Sequence, residues 1–200
     1  LVDSGATYMD GTTDITRTYP LGPLTEDEKR FYTWTLQSHI DLAKAVWLDY
    51  CECKMIDTIA REPLWRHLIN YRCGTGHSVS FVGNVHEGPH ALNSRNTTRM
   101  RPGMVVTDEP GVYETDLVGI RIENELVCVH RADNQYGTFL GFEPLMFVPI
   151  ATSPILPGVL DKDEIAWLND YHRQVFAKLA PHLNDEERSW LAEKCAAIGC

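Results

Sequence analysis

The stretch between Cys73 and Glu123 decides the reading of this chain. It runs C-G-T-G-H-S-V-S-F-V-G-N-V-H-E-G-P-H over 73–90, M-V-V-T-D-E-P-G-V-Y over 104–113 and V-G-I-R-I-E-N-E over 118–125. Two histidines, His77 and His86, and two carboxylates, Glu109 and Glu123, lie inside apolar, strand-like runs. An acid in Val/Ile-rich sequence is costly to bury unless something compensates its charge, and a metal ion is a common compensation. The same pattern recurs at the start, with Asp3 in L-V-D-S-G and Asp14 in D-G-T-T-D-I-T-R-T. These distant pieces are expected to converge on one metal centre.

Working outward, 200 residues with 44% hydrophobic and 23% charged side chains suit one globular domain with a helical appendage. A formal net charge of −10 argues against non-specific binding to nucleic acid or to an anionic membrane. No apolar run of the length needed for a membrane helix occurs, and no signal peptide is visible at Leu1. The six cysteines (Cys51, Cys53, Cys73, Cys128, Cys195 and Cys200) form no C-x-x-C pair, so reduced thiols and a cytoplasmic location are expected.

The pattern predicts strands over 1–9 and 14–19 around a D-G-T-T turn. A capping box, T-E-D-E at Thr25–Glu28, opens a helix over 26–48. A shorter helix over 54–62 is expected to stop at Pro63. Further strands are predicted over 104–107, 120–129 and 139–150. Beyond the linker T-S-P-I-L-P-G (152–158), helices are predicted over 161–182 and 184–198, capped at Asp161/Glu164 and Asn184/Glu187. Ile165, Trp167, Leu168, Tyr171, Val175, Phe176 and Leu179 give the first of these an apolar face suited to intramolecular packing. The divisions are residues 1–150 as the main domain, which carries all the candidate site residues, and 151–200 as a C-terminal helical extension.

Each candidate has an ordinary alternative. Asp3 and Asp14 can meet across a hairpin, yet aspartates near strand ends are commonly turn formers. Alternation puts Arg121 and Glu123 on one face of a strand, which fits a surface ion pair or a ligand steadied by its neighbour. A lone His77 among glycines is more often structural than catalytic. Together the set is one histidine with four carboxylates, a mostly hard-oxygen set suited to two divalent ions, Mn²⁺ first, with Co²⁺ or Zn²⁺ as alternatives. Such a pair can generate hydroxide near neutral pH and polarise a carbonyl. His86–His90 matches H-E-x-x-H, but Gly88 and Pro89 oppose the helix that motif needs. G-T-G-H lacks the G-K-[S/T] of a phosphate loop.

The motifs D-S-G-A-T-Y-M-D-G-T-T-D-I-T-R-T (3–18), G-T-G-H (74–77), N-V-H-E-G-P (84–89), R-P-G-M-V-V-T-D-E-P-G-V-Y (101–113) and G-I-R-I-E-N (119–124) follow in an order that resembles the pita-bread metallopeptidases, specifically aminopeptidase P, the Xaa-Pro aminopeptidases. G-F-E-P-L (141–145), V-P-I (148–150) and W-L-N-D-Y-H (167–172) resemble the C-terminal extension of the longer members. The resemblance implies an α+β fold with a curved, mainly antiparallel sheet flanked by helices, partial at its N-terminus. It implies that Asp3 chelates one ion, Asp14 and Glu123 bridge both, and His77 and Glu109 bind the other. The resemblance further implies that a hydroxide shared by the ions would attack the scissile carbonyl of peptides with proline second. Glu109 would also move protons, His86 would position substrate and stabilise the tetrahedral intermediate, and Arg121 would support the ligands. A homodimer joined through the C-terminal helices is implied as well. Two departures stand out: Cys73 occupies the place of a family histidine four residues before His77, and G-H-S-V-S replaces G-H-G-V-G. Against the family pattern, an upstream part of the catalytic domain, with another histidine, is expected to be missing. The rival readings are a dipeptide-specific prolidase and a catalytically impaired binding module.

Overall fold

The computed structural model describes residues 1–199; Cys200, one of the six thiols expected to be reduced, lies outside them. The five described cysteines are all free. Strand β1 (Val2–Tyr8) turns back at once into β2 (Gly11–Arg17), antiparallel, with Asp3 opposite Thr16 and Gly5 opposite Asp14. Cross-strand partners share a face, as do residues two apart. The register therefore puts Asp3, Asp14 and Thr16 on one side of the hairpin. Gly5 is obligatory here, because a Cβ would stand 2.3 Å from the Thr13 carbonyl.

Helix α1 (Glu26–Ala43) begins at Thr25, whose hydroxyl accepts the Glu28 N–H while the Glu28 carboxylate accepts the Thr25 N–H, a reciprocal capping box. The predicted helix to residue 48 is too long. Residues Val46–Leu48 form strand β3 instead, paired to a later strand through Trp47 opposite Leu140. The β-branched and aromatic character of V-W-L favours an extended edge over another helical turn. Helix α2 (Cys53–Trp65) runs past Pro63 instead of stopping there. The proline lies close to the helix end and is buried. The Arg66 N–H still reaches the Glu62 carbonyl at 3.1 Å, so one missing donor does not end the helix.

A six-stranded antiparallel sheet follows, in the order β3-β10-β9-β6-β4-β5. Its further members are β4 (Gly76–Ser78), β5 (Glu87–Leu92), β6 (Val105–Asp108), β9 (Asn124–Asn134) and β10 (Gly137–Pro144). Between β6 and β9 in sequence lie β7 (Gly111–Glu114) and β8 (Val118–Arg121), a separate hairpin. The single strand expected over 120–129 is therefore two strands, interrupted at Ile122 and Glu123. The strand expected over 139–150 ends at Pro144. Within H-E-G-P-H, Glu87–His90 is extended in β5 and His86 lies in the bend just before it, so the motif is not helical.

Helix α3 (Lys162–Leu179) carries the predicted capping box at Asp161 and Glu164, and α4 (Asp185–Lys194) the one at Asn184 and Glu187. A 3₁₀ turn, Ala180–His182, joins them, and α4 stops four residues short of the expected end. Leu168, Tyr171 and Val175 of α3 pack against Tyr32, Leu36 and Ile40 of α1 and against Ile120 and Ile122. Each such buried side chain contributes roughly 1.5–3 kcal/mol. The apolar face of α3 is thus spent within the chain. A second cluster, around Trp47, Ile56, Leu92, Met100, Leu126 and Phe142, fills the space between the sheet and α2.

His172 of α3 is fully buried, and its Nε2 accepts the Ile150 N–H at 3.1 Å. It must be neutral to do so. Burial first, and the Arg17 charge second, lower its pKa from about 6.5 to about 4. The unfolded chain therefore binds more protons between these values. The stabilising contribution is complete above about pH 6.5 and is lost as pH falls towards about 4, by about 3 kcal/mol in all. In His172→Gln the wild-type-minus-variant difference in urea unfolding free energy is expected to shrink from pH 7 to pH 4.5; a constant difference would contradict it.

Candidate metal centre

Two corners meet at the centre of the fold. The β6/β9 ladder ends at Asp108 opposite Asn124, and the β7/β8 ladder begins at Gly111 opposite Arg121. Glu109 and Pro110 form one corner, Ile122 and Glu123 the facing one. At each corner the backbone N–H is released from the ladder and bonds elsewhere. Glu109 N–H donates to the Thr75 carbonyl at 2.8 Å, and Glu123 N–H to the Thr16 carbonyl at 3.0 Å. Thr75 precedes His77 by two residues and Thr16 follows Asp14 by two. These two bonds therefore tie four chemistry-bearing segments together.

Their side chains converge. His77 Nε2 lies 3.1 Å from a Glu109 oxygen and 3.5 Å from an Asp14 oxygen. Ligand atoms of Asp14, His77 and Glu123 fall within 4.8 Å of one another. Thr107 steadies the cluster twice, its hydroxyl accepting the His77 backbone N–H at 3.0 Å and donating to Glu109 at 2.9 Å. Thr16 donates to Glu123 at 2.5 Å. Gly76 allows this close approach, since a Cβ there would lie 1.8 Å from the Thr107 carbonyl.

Asp3 stands apart from the cluster and is the most exposed of the proposed carboxylates. Its carboxylate meets Arg121 Nη2 at 2.5 Å, and Arg121 also donates to Tyr113 OH and to Thr16 Oγ1, both at 2.9 Å. Arg121 thus links Asp3 to the hydroxyl that holds Glu123. His86 is exposed and stacks on His77, with ring centroids 3.6 Å apart. Cys73 lies at the exposed rim, and desolvation, then the Glu109 charge, raise its thiol pKa.

The residues fit a divalent cation by their own hydrogen bonding. His77 Nδ1 is 3.2 Å from the Ser78 carbonyl, which can only accept, so Nδ1 carries the proton. Nε2 then points a lone pair at two carboxylates with no donor between them. Only a second proton or a metal ion makes that arrangement favourable. The carboxylates tell the same story. Burial first, then neighbouring negative charge, raises Glu123 to about 8. Burial raises Asp14 against the opposing pull of His77, and Asp3 and Glu109 add to the rise. Crowded, desolvated anions gain protons unless a cation joins them.

The sequence reading singled out neither Thr16 nor Thr107, nor Glu125, whose carboxyl burial raises to about 7 against the opposing pull of the Asp14 backbone. The only signal in the sequence is position. Thr16 and Thr107 each sit two residues from a candidate ligand, and so on its face of the strand.

Comparisons with known proteins bear on this arrangement. Residues 1–130 match the model of metallopeptidase family M24, and residues 138–198 match the C-terminal region of peptidase M24. Aminopeptidase P1 of Lotus japonicus is 42% identical over 205 residues, covering 100% of this chain and 31% of the relative. Aminopeptidase P2 of Arabidopsis thaliana is 44% identical, covering 96% and 28%. The chain spans about a third of the length of the curated relatives it matches. Among solved structures, the X-prolyl aminopeptidase of Caenorhabditis elegans, described as a cytosolic enzyme with a di-nuclear active site, superposes with a TM-score of 0.92. That protein is 39% identical, with 98% of this chain and 33% of that one covered. The prolidase of Pyrococcus furiosus superposes at 0.61, with 29% identity and 72% and 39% coverage. The fold is α+β of the pita-bread type, as its resemblance implied, and the chain belongs to metallopeptidase family M24.

Proposed function

We propose that this chain forms the metal-binding part of an Xaa-Pro aminopeptidase, which releases the first residue of peptides with proline second. The observation that carries this reading is the placement of His77, whose Nδ1 faces the Ser78 carbonyl while its Nε2 faces Glu109 and Asp14 with Glu123 beside them. Asp3, Asp14, His77, Glu109 and Glu123 would hold two divalent ions, Mn²⁺ by preference for a mostly oxygen set. When bound, such a pair lowers the pKa of water and polarises a carbonyl.

The chain's own residues supply the rest. Glu109 is the more open of the two corner glutamates, so it is the carboxylate that can carry a proton between the scissile bond and solvent. His86, held flat on His77 with its far side open, can donate to a substrate carbonyl. Arg121 holds Asp3 and Thr16, fixing the far edge of the site.

Coverage favours an aminopeptidase P over a prolidase. The C-terminal region at 138–198 has its own family match, while the Pyrococcus furiosus prolidase covers only 72% of this chain. The worm enzyme covers 98%. A second reading, a binding module on the same scaffold, is favoured by one observation. Cys73 carries a thiol where the resemblance expects a histidine, and desolvation, then the Glu109 charge, favours its protonated form. A thiol cannot replace imidazole as a proton carrier near neutral pH.

The free cysteines support a cytoplasmic setting, and no helix among the described residues is long and apolar enough to cross a membrane. A homodimer is proposed through the C-terminal helices. Trp190 of α4 is exposed and lines a 630 Å³ groove with Tyr19, Pro20 and Ile150. Light scattering of the full-length protein is expected to give twice the monomer mass, and a monomer would overturn this.

Three measurements test the site. Mn²⁺ titration calorimetry of Glu123→Gln and His77→Ala is expected to show a larger affinity loss than the roughly 10–100-fold that removal of an outer supporting residue causes; unchanged binding would remove these residues from the site. The full-length protein is expected to hydrolyse an Xaa-Pro-Pro peptide and to lose that activity on chelation. Hydrolysis indifferent to chelation would sink the metallopeptidase reading. Cys73→His is expected to raise kcat, by up to about 10²-fold if general acid–base help is restored. No measurable turnover in either form would favour the binding module.

A further inference from the structure

Arg17 is a buried cation with no carboxylate partner among the described residues. It is 4% exposed and makes no ion pair. Its charge is met instead by oxygens that carry no full charge. Nε donates to the Pro149 carbonyl at 3.2 Å, and Nη1 to the carbonyls of Thr16 at 2.9 Å and Glu123 at 2.5 Å. Nη2 faces Asn124 Oδ1 at 2.8 Å, the Val148 carbonyl at 2.7 Å and Tyr171 OH at 2.9 Å. Leaving an ion unpaired in the interior is costly, so an arrangement of this kind calls for a reason.

The donors give the network a direction. A guanidinium only donates, so Asn124 must present its oxygen to Arg17 and its amide nitrogen to His39 Nε2, 3.3 Å away. His39 Nε2 is therefore an acceptor, and its proton sits on Nδ1, 3.1 Å from Asp108. That last contact is close but poorly aligned, so neither Asp108 oxygen has a full hydrogen bond. At the other end, Tyr171 OH accepts from Arg17 and from the Val148 N–H at 3.2 Å, and its own proton is within reach of the Met146 and Val148 carbonyls. Trp167 stacks on Tyr171 with ring planes 2° apart and edges onto His39, covering both.

Every strand member of this network lies an odd number of residues from a proposed ligand. Asn124 follows Glu123, Asp108 precedes Glu109, and Arg17 follows Asp14 by three residues. An odd offset along a strand points a side chain to the opposite face. The ligands therefore face the site, and the network lies behind the same backbone, between the strands and helices α1 and α3. Arg17 grips the Glu123 carbonyl itself, and Glu123 N–H is bonded to Thr16. The corner that aims Glu123 is held on both sides of its peptide.

We propose that Tyr171, Arg17, Asn124 and His39 form a positioning network that sets the geometry of the metal ligands from behind, so that α3 in the C-terminal region determines metal affinity. It rests on the metal-site reading above, since it needs a cation for Glu123 and Glu109 to hold. Tyr171→Phe removes one hydroxyl and leaves Arg17 and the Val148 N–H each short of an acceptor, with little change of volume.

The test compares Tyr171→Phe with Val175→Ala, a fully buried apolar position one turn along the same helix. In full-length protein, Mn²⁺ affinity is measured by calorimetry, the ion–ion coupling by electron paramagnetic resonance, and metal-free stability by urea unfolding. Tyr171→Phe is expected to weaken Mn²⁺ binding about 10-fold or more and to alter the coupling signal, while Val175→Ala stays within about 2-fold despite its loss of stability. Arg17→Lys, which keeps charge and loses the fork, is expected to follow Tyr171→Phe. If Tyr171→Phe does not fold, His39→Gln is read by the same criteria. Binding by Tyr171→Phe equal to wild type, or equal weakening in Val175→Ala, overturns the network alone. A wild type that binds no Mn²⁺ overturns both this proposal and the metal-site reading.

Discussion

The structure depends on two backbone hydrogen bonds that leave the sheet. Glu109 N–H reaches Thr75 and Glu123 N–H reaches Thr16 at the point where one antiparallel ladder stops and the next begins. A backbone N–H that turns away from its ladder must find another acceptor or stand unsatisfied in the interior. Here the acceptors belong to the segments that carry His77 and Asp14. The requirement to satisfy two buried amides is thus also what gathers one histidine and three carboxylates into one volume.

Gathering them has an electrostatic consequence. The charges of Asp14, Glu109 and Glu123 act on one another with little water between, so burial and mutual repulsion raise the pKa values of Asp14 and Glu123, the latter to about 8. His77 moves up as well: desolvation opposes its charge, but hydrogen bonding and attraction from Glu109 outweigh that loss. An anionic cluster with a lone pair aimed into it is tuned for positive charge, which either protons or a metal ion can supply. Asp3 differs, because Arg121 already supplies it with a cation. A ligand role for Asp3 therefore means sharing or exchanging that partner.

Much of this was legible in the sequence where a local rule decides the outcome. Capping boxes at Thr25, Asp161 and Asn184 fix helix starts because two side chains three residues apart satisfy free amides at the helix N-terminus locally. The Asp3–Asp14 hairpin is local too. What failed was set by distant partners. Val46–Leu48 becomes a strand only because β10 lies beside it, and Pro63 stays helical because it is packed near a helix end. The break at Glu123 carries no proline or glycine of its own. It follows from pairing with β6 on one side and β7 on the other. The candidate ligands could be named without that knowledge, but the corner that aims them could not. Thr16 and Thr107 escaped notice for the same reason, since their value lies in what faces them across the fold.

Strand alternation carries the argument one step further. A carboxylate on the inner face forces its sequence neighbour to the outer face, and there a polar neighbour is as costly as the ligand itself. Asn124 and Asp108 are such neighbours, and both are fully buried. Apolar residues at these positions would give a simpler core, as Ile120 and Ile122 do beside them. The chain instead places Arg17 and His39 against Asn124 and Asp108, and closes the layer with Tyr171 from the last third of the sequence. A metal ion constrains ligand oxygens within tenths of an ångström, and apolar packing is non-directional, so by itself it orients a peptide group less sharply than hydrogen bonds do. Directional hydrogen bonds behind the backbone supply that orientation. On the proposed positioning network, the polar layer and the candidate ligand set are two faces of one requirement, and the C-terminal helices serve the site as well as the core.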